Sequence, residues 1–379
     1  ISGRWARSPV LHSLLYDVVI AGVGGVLGFM PLIFTMFFLI SALEDSGYIA
    51  RVAFILDRVL QTFGLQGKSI LALIVSGGLG AGGCAVPGVM ATRTLREDKD
   101  RLITMLVVPF MNCGAKLTVY AMLIAAFFPR HRTEMMLLMW AISWAVALAA
   151  AWVLRKFVIR GEQTPFVMEL PPYHMPLLRS MLIHTWDRTW LYVKKAGTVI
   201  LAINILFWAL MYFPRPPDGG DSQAPGGGPR VAAVTEEERA AGALSHSFAG
   251  RFGRALEPVT QWAGFDWRTN ISLMGGFMAK EVIVGTMGTA LAMGDVDPDR
   301  PESLSQQLAQ DPAWNPLKGF VLMVFVMMYA PCFASMAVIR RESGSWKWAL
   351  FSTAYSTGIA FVLAVVIYQS GLALGLGTP

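Results

Sequence analysis

The sequence predicts an all-α fold: a polytopic membrane helix bundle with about eight membrane segments, arranged as two similar halves. Two observations predict this fold, namely the composition and the length of the apolar runs. Hydrophobic residues make up 55% of the 379 residues and charged residues only 15%, with a mean hydropathy of +0.52. In a water-soluble domain, roughly a quarter of all residues are charged. Much of this chain's surface is therefore expected to face lipid.

The membrane segments are apolar runs of about 20 residues, the length a helix needs to cross the hydrocarbon core. Runs without a charged residue are Val18–Leu43, Ser69–Thr92, Met135–Leu154, Ala196–Phe213, Phe320–Ile339 and Trp348–Leu376. Two further runs contain ionisable residues: Leu102–Phe128 contains Lys116, and Thr269–Gly294 contains Lys280 and Glu281. The first run is too long for a signal peptide. We therefore expect it to remain as a span.

The net charge of +6 comes from basic residues clustered between the predicted spans. An excess of Lys and Arg is typical of cytoplasmic loops, so we place the basic stretches 93–101, 155–195 and 340–347 in the cytoplasm. The mainly acidic connections Asp218–Arg239 and Asp295–Asp311 are placed outside. This charge pattern needs no nucleic acid as a partner.

The chain divides into four parts: a polar lead-in (1–17), a first membrane block (18–154), a basic cytoplasmic linker with an amphipathic helix (155–195) and a second membrane block (196–379). The second block is interrupted by a Gly/Pro-rich loop, 214–241, that we expect to be disordered. Each block runs through a span, an amphipathic stretch, a glycine-broken segment and a span with proline and cysteine. Paired broken segments indicate a transporter's binding site, although any polytopic chain can yield such pairs by chance.

The three cysteines, Cys84, Cys113 and Cys332, all fall at membrane depth and close to a proline. Around Cys84 the sequence GGCAVPG must break the helix and free backbone carbonyls, which at that depth requires burial in protein or a water-lined cavity. Sulfur ligands suit Fe²⁺ better than Mg²⁺ or Ca²⁺, which prefer oxygen. Cysteine is also an ordinary packing residue in membrane helices. Both interpretations stay open.

Ionisable residues within apolar runs are costly and functional by default. Lys280 and Glu281 can neutralise each other or pair elsewhere in the bundle, and Glu44 and Asp45 are either interfacial charges or cation-capturing groups. The candidate metal ligands are Cys84, Cys113, Cys332, Met90, Met278 and Glu281. The candidate pore and gating residues are Glu44, Asp45, Gly83, Pro87, Lys116, Gly275, Gly276, Lys280 and Pro331.

Catalytic sites are not apparent in the sequence. The five histidines lie outside the predicted spans and match no zinc-site spacing. The segment GLQGKS at 64–69 looks like a phosphate loop, but its two glycines are too close together for that pattern. We therefore expect no enzymatic activity and no permanently bound cofactor.

Several motifs resemble those of the FeoB family of ferrous-iron transporters. They are LEDSGYIAR at 43–51, CAVPGVMATRT at 84–94, PFMNCGAKLTVY at 109–120, KKAGTVIL at 194–201, GGFMAKEV at 275–282, YAPC at 329–332 and IRRESGSWKW at 339–348. The resemblance implies a multi-pass Fe²⁺ importer of the bacterial inner membrane, with two gate-type repeats similar to the core of nucleoside transporters. By this resemblance Cys84, Cys113 and Cys332 line the iron path. Thr118 and Ala85 depart from the family, which usually has proline and asparagine at those positions.

The resemblance also implies partners. FeoB proteins ordinarily carry an N-terminal GTP-binding domain that this sequence does not supply, so we expect that domain in cis in a longer chain or in trans. Small cytoplasmic Feo accessory proteins and a homo-oligomer are further expected partners, beside the lipid bilayer and Fe²⁺ itself. Two alternatives stay open: a gate-fold carrier for another divalent metal or a nucleoside-like solute, and a non-transporting membrane scaffold for a GTPase.

Overall fold

The computed structural model describes residues 21–78, 83–95, 97–159, 177–213, 247–291 and 302–375. Within these ranges there are fifteen α-helices and no β-strand, and the backbone forms a single isolated bridge. The all-α prediction is confirmed. The predicted lead-in 1–17, the loop 214–241 and much of the predicted connections fall outside the described residues.

The first half of the chain contains seven helices. They are α1 (Ala21–Asp45), α2 (Tyr48–Thr62), α3 (Ser69–Leu73, continuing as a π-helical turn Ile74–Gly78), α4 (Ala85–Ala91), α5 (Asp98–Val107), α6 (Gly114–Phe127) and α7 (Arg132–Val153). Gly47 turns the chain from α1 into α2 with a φ of 74°, a conformation that glycine adopts without strain.

The second half contains eight helices and, apart from α12, repeats the order of the first. They are α8 (Leu178–Tyr212), α9 (Phe248–Thr260), α10 (Trp267–Met278), α11 (Val282–Ala290), α12 (Glu302–Gln310), α13 (Pro316–Met328), α14 (Phe333–Ser343) and α15 (Trp346–Ala373). Side chains of Ser247, Asp266, Asn315 and Ser345 accept backbone N–H bonds at the starts of α9, α10, α13 and α15, as N-cap residues do. Helix α8 is continuous across the predicted boundary at 195/196.

Four of the predicted membrane segments are interrupted in the structure. Ser69–Thr92 separates into α3 and α4, Leu102–Phe128 into α5 and α6, Thr269–Gly294 into α10 and α11, and Phe320–Ile339 into α13 and α14. The sequence predicted the first and third interruptions. The second and fourth were predicted as spans, and there the chain leaves helical geometry beside Pro109 and Pro331, which cannot donate a backbone hydrogen bond.

The third break lies within the predicted glycine-broken segment Gly275–Gly288, three residues after its two leading glycines. Helix α10 continues through Gly275 and Gly276 to Met278, and the backbone becomes extended only at Ala279. The two glycines instead permit close packing, because a Cβ on Gly276 would collide with the Tyr329 hydroxyl and with Ile283. The predicted interruption within Gly275–Gly288 is therefore confirmed, and it lies at its residues Ala279–Glu281.

Three helical segments of the described ranges are long and apolar enough to cross a membrane: Arg132–Val158, Pro316–Ser343 and Trp346–Ala373. Breaks shorten three of the other predicted segments, which are Ser69–Thr92, Leu102–Phe128 and Thr269–Gly294. The middle segment, α13 with α14, is 72% buried over its most apolar window, against 22% for α15. Helix α13 therefore lies in the interior of the bundle and α15 on its outside.

Candidate functional site

The candidate site lies where the four breaks meet. Cys84, Cys113, Glu281 and Cys332 directly precede α4, α6, α11 and α14. The three cysteines have extended backbones, and none caps its helix with the side chain. Their side chains are therefore not used up in capping, and the first-turn N–H groups of these helices point toward the breaks.

The four helices that begin at the breaks pack crosswise between the halves. Helix α4 of the first half contacts α14 of the second, and α11 of the second half contacts α6 of the first. As a result, Cys84 lies within electrostatic range of Cys113, Cys332 and Glu281. The structure thus brings together four of the six predicted metal ligands.

These four residues form an open set. Among the described residues, no three Cys, His, Asp or Glu side chains lie close enough to hold a metal ion. Each of the three cysteines is free of disulfide bonds and only partly exposed. The arrangement therefore offers separate sulfur and carboxylate groups at the breaks and not a closed coordination cage.

Glycines hold the first two breaks together. The Gly83 carbonyl accepts a 3.1 Å bond from Gly114 N–H, and Cys84 N–H donates to the Val75 carbonyl over 3.2 Å. A Cβ on Gly83 would collide with the backbone of Gly77. Gly77 itself has a φ of 120° and lies against the Asn112 carbonyl. Side chains at either position would force the breaks apart.

Lys116 lies in the first turn of α6 and is only 3% exposed. Its Nζ donates to the carbonyl oxygens of Pro109 (2.8 Å), Met111 (2.9 Å) and Met327 (2.7 Å). Two of these carbonyls belong to the α5–α6 break and the third to the last turn of α13. One ammonium group therefore binds carbonyls from both halves of the chain.

Lys280 occupies a comparable position at the α10–α11 break. Its Nζ donates to the Ala330 carbonyl over 2.8 Å and lies 3.1 Å from the centre of the Tyr329 ring. The structure thus decides one alternative left open by the sequence, since Lys280 binds the α13–α14 break and not the neighbouring Glu281. Glu281 has no ion-pair partner within the part of the chain that the structure describes.

The remaining candidates lie at varying distances from the breaks. Met90 and Met278 are half-buried near the ends of α4 and α10, and Pro87 and Pro331 are buried. Glu44 and Asp45 end α1, where Asp45 is exposed.

Sequence reasoning missed Ser335, whose buried hydroxyl lies 3.1 Å from the Cys332 sulfur. Its spacing was the available signal, because Ser335 follows Cys332 by three residues as Lys116 follows Cys113.

Three ion pairs involve residues of the basic stretch 93–101. Arg93 and Arg101 of the first half both bind Glu342 at the end of α14, and Arg101 also reaches its main-chain oxygen over 2.5 Å. The hydrogen bond to Glu342 raises the pKa of the Arg93 guanidinium above its usual range. Arg155 pairs with Asp100 over 2.6 Å, and both side chains are at least 90% buried.

Comparison with known proteins gives two family matches. The family described as "Gate: Nucleoside recognition" matches residues 26–127 and 193–346, which is more than half of the chain. The family described as "Ferrous iron transport protein B C terminus" matches residues 136–188. All four breaks lie within the first of these two families. No solved structure matches the chain.

Curated relatives are similar over nearly all of the chain. The chain is 40% identical to the "Fe(2+) transport protein A/Fe(2+) transporter FeoB fusion protein" of Porphyromonas gingivalis, over 95% of the chain and 44% of that protein. It is 38% identical to "Fe(2+) transporter FeoB" of Methanocaldococcus jannaschii and 35% identical to that of Staphylococcus aureus. These alignments cover 95% and 96% of this chain and 50% of each relative. The chain spans about half the length of the curated relatives that it matches.

Proposed function

Because this chain belongs to the FeoB family, as its gate-type membrane part, we propose that it forms the permeation core for Fe²⁺ in a bacterial inner membrane. One observation carries the proposal: three thiols and one carboxylate stand at the starts of four helices that pack crosswise. Sulfur ligands suit Fe²⁺ and disfavour Mg²⁺ and Ca²⁺.

The three thiols and the carboxylate are too far apart to form a closed metal site, which favours transport of the metal ion over its permanent binding. A permeating ion must be bound well enough to enter and weakly enough to leave, usually over several sites. A closed four-ligand cage would hold the metal, as structural metal sites do. In the proposed path, Cys84, Cys113, Cys332 and Glu281 contribute in turn, and Met90 and Met278 add thioether groups near the same breaks.

Partners of this core are part of the proposal. The relative from Porphyromonas gingivalis is named as a fusion with Fe(2+) transport protein A, which supports a small accessory protein as a partner. We infer that a GTP-binding domain, in the same polypeptide or in another, controls the gate. On this proposal the membrane core itself carries out no catalysis, keeps no resident cofactor and uses Fe²⁺ as substrate.

The test is anaerobic uptake of radioactive Fe²⁺ into proteoliposomes containing this chain, with Mn²⁺ and Zn²⁺ as competitors. We expect saturable uptake whose initial rate falls about tenfold or more in the double variant Cys84→Ser/Cys113→Ser, because losing even an outer-shell partner typically costs 10–100-fold. Met139→Leu is the matched control, since it removes a fully buried sulfur on α7 that is not one of the proposed ligands. Unchanged uptake by the folded double variant would remove the cysteines from the path.

Absence of uptake by the folded wild-type chain has two explanations, a gate that is closed by default and a scaffold that does not transport. Adding a GTP-binding domain with GTP separates them, because only the closed gate then gains uptake.

A nucleoside-like solute is the second candidate, and the description of the matching gate family favours it. Nucleosides that competed with Fe²⁺, or entered in its absence, would support it.

A further inference from the structure

Lys116 and Lys280 place two amine groups on backbone carbonyls at the breaks. All the carbonyls that they bind come from interrupted helices. Two of them lie three residues apart, Met327 in the last turn of α13 and Ala330 in the break that follows it. Carbonyls freed by a broken membrane helix are the groups that commonly bind permeating cations in transporters. Here the side chains of this protein occupy them.

We propose that Lys116, assisted by Lys280, acts as a tethered cation that occupies the carbonyl site between the two halves and keeps free cations out of the path. The proposal rests on the proposed function only in taking the breaks as part of a cation path. It adds a charge barrier built from the chain itself.

The hydrogen bonds of Lys116 are the strongest support for this proposal. Its Nζ has three carbonyl partners at 2.7–2.9 Å, which is a full set for the three donors of an ammonium group. Because one partner, Met327, belongs to the opposite half, any motion that separates α6 from α13 must withdraw the amine from that oxygen. When the halves part, the amine therefore keeps its two oxygens in the α5–α6 break and loses the one that ties it to the opposite half.

The two lysines also lie where a barrier would act on the proposed ligands. Lys116 follows Cys113 by three residues in the first turn of α6, and Lys280 binds the carbonyl of Ala330, two residues before Cys332. A metal dication approaching these sulfurs meets both positive groups. Removing the barrier, either by a conformational change or by mutation, is expected to admit cations more easily.

The test uses thiol labelling and does not depend on iron transport. The three cysteines of the reconstituted chain are labelled with a cationic methanethiosulfonate reagent and with a neutral one of similar size, and modification is followed by mass spectrometry at each cysteine. The readout is the ratio of the cationic to the neutral rate. One unit charge about 8 Å away, at an effective dielectric constant of about 40, changes the local concentration of a cation about fivefold.

We expect Lys116→Met, which keeps the length of the side chain, to raise this ratio about fivefold at Cys113 and Cys332, whereas Lys116→Arg leaves it unchanged. Lys318→Met is the matched control, because the Lys318 amine also binds a carbonyl, that of Ala313 at 2.6 Å, but outside the breaks.

An unchanged ratio in folded Lys116→Met overturns the proposal. If Lys116→Met does not fold, Lys280→Met carries the same prediction, and an unchanged ratio there overturns it equally. Failure of either reagent to label any cysteine in wild type and variant means that packing, and not charge, closes the site, which also overturns it. Absence of Fe²⁺ uptake by the folded wild-type chain, together with an increased ratio in Lys116→Met, would count against the proposed function alone.

Discussion

Gly83→Ala tests the contact between the first two breaks, on which the candidate site depends. A methyl group at this position would overlap the backbone of Gly77, and backbone atoms cannot move aside as a flexible side chain can. The segment must therefore shift, and two hydrogen bonds are lost: Gly114 N–H to the Gly83 carbonyl and Cys84 N–H to the Val75 carbonyl. A buried polar group left unsatisfied costs about 1–3 kcal/mol, so the variant is expected to lose about 2–6 kcal/mol.

The assay is thermal unfolding of the detergent-solubilised protein, followed by intrinsic tryptophan fluorescence, together with Fe²⁺ uptake. Gly358→Ala is the control: it lies inside α15 with nothing within 4 Å of the added methyl group, and replacing a helical glycine by alanine favours folding by about 0.5–1 kcal/mol. We expect a large decrease in Tm for Gly83→Ala and none for Gly358→Ala. If Gly83→Ala keeps the wild-type Tm and uptake, the two breaks are not closely packed and the proposed arrangement of the sulfurs is wrong.

Two further predictions concern the ion pairs beside the basic stretch. Asp100→Asn leaves the buried Arg155 guanidinium without its carboxylate, so it is expected to cost about 3–5 kcal/mol and to lower Tm in the same unfolding assay; an unchanged Tm would mean that the pair is hydrated. Glu342→Gln weakens the bonds from both Arg93 and Arg101 and is expected to cost about 1.5–3 kcal/mol. Arg93→Ala removes only a half-exposed partner and is expected to cost less than about 1 kcal/mol, so equal losses would contradict this ranking.

The helices were predictable from the sequence because their signals are local. These signals are long apolar runs, turn glycines and N-cap residues such as Asp266 and Asn315. Each depends only on residues that are close in the sequence. The positions of the breaks were harder to predict. Hydropathy alone predicted continuous helices at Pro109 and Pro331, where the structure has breaks. Within the predicted broken segment 275–288, the break begins at Ala279, and Gly276 lets Tyr329 and Ile283 approach α10.

Contacts between the two halves could not be predicted from the sequence, because they join residues that are far apart in the chain. Nothing near Lys116 indicates that its amine reaches the Met327 carbonyl, 211 positions away. Because Lys280 and Glu281 are neighbours in the sequence, an ion pair between them was one prediction. The carbonyl of Ala330 is instead the partner of Lys280. The three cysteines were the exception, since their shared position beside helix-breaking prolines is visible in the sequence.

The two halves follow the same order of helices but do not provide equal sites. Three residues after Cys113 the first half has Lys116, and three residues after Cys332 the second half has Ser335. The lysine reaches across to the opposite half, whereas the Ser335 hydroxyl stays 3.1 Å from the sulfur of its own Cys332. Two identical gates would present a cation with the same barrier twice. With this asymmetry, a cation would meet the Lys116 amine, held by oxygens of both halves, at one break, and at the other a sulfur–hydroxyl pair beside the Ala330 carbonyl that Lys280 binds. On the proposed function, withdrawing the Lys116 amine from the Met327 carbonyl would therefore change one break and leave the sulfur–hydroxyl pair of the other in place.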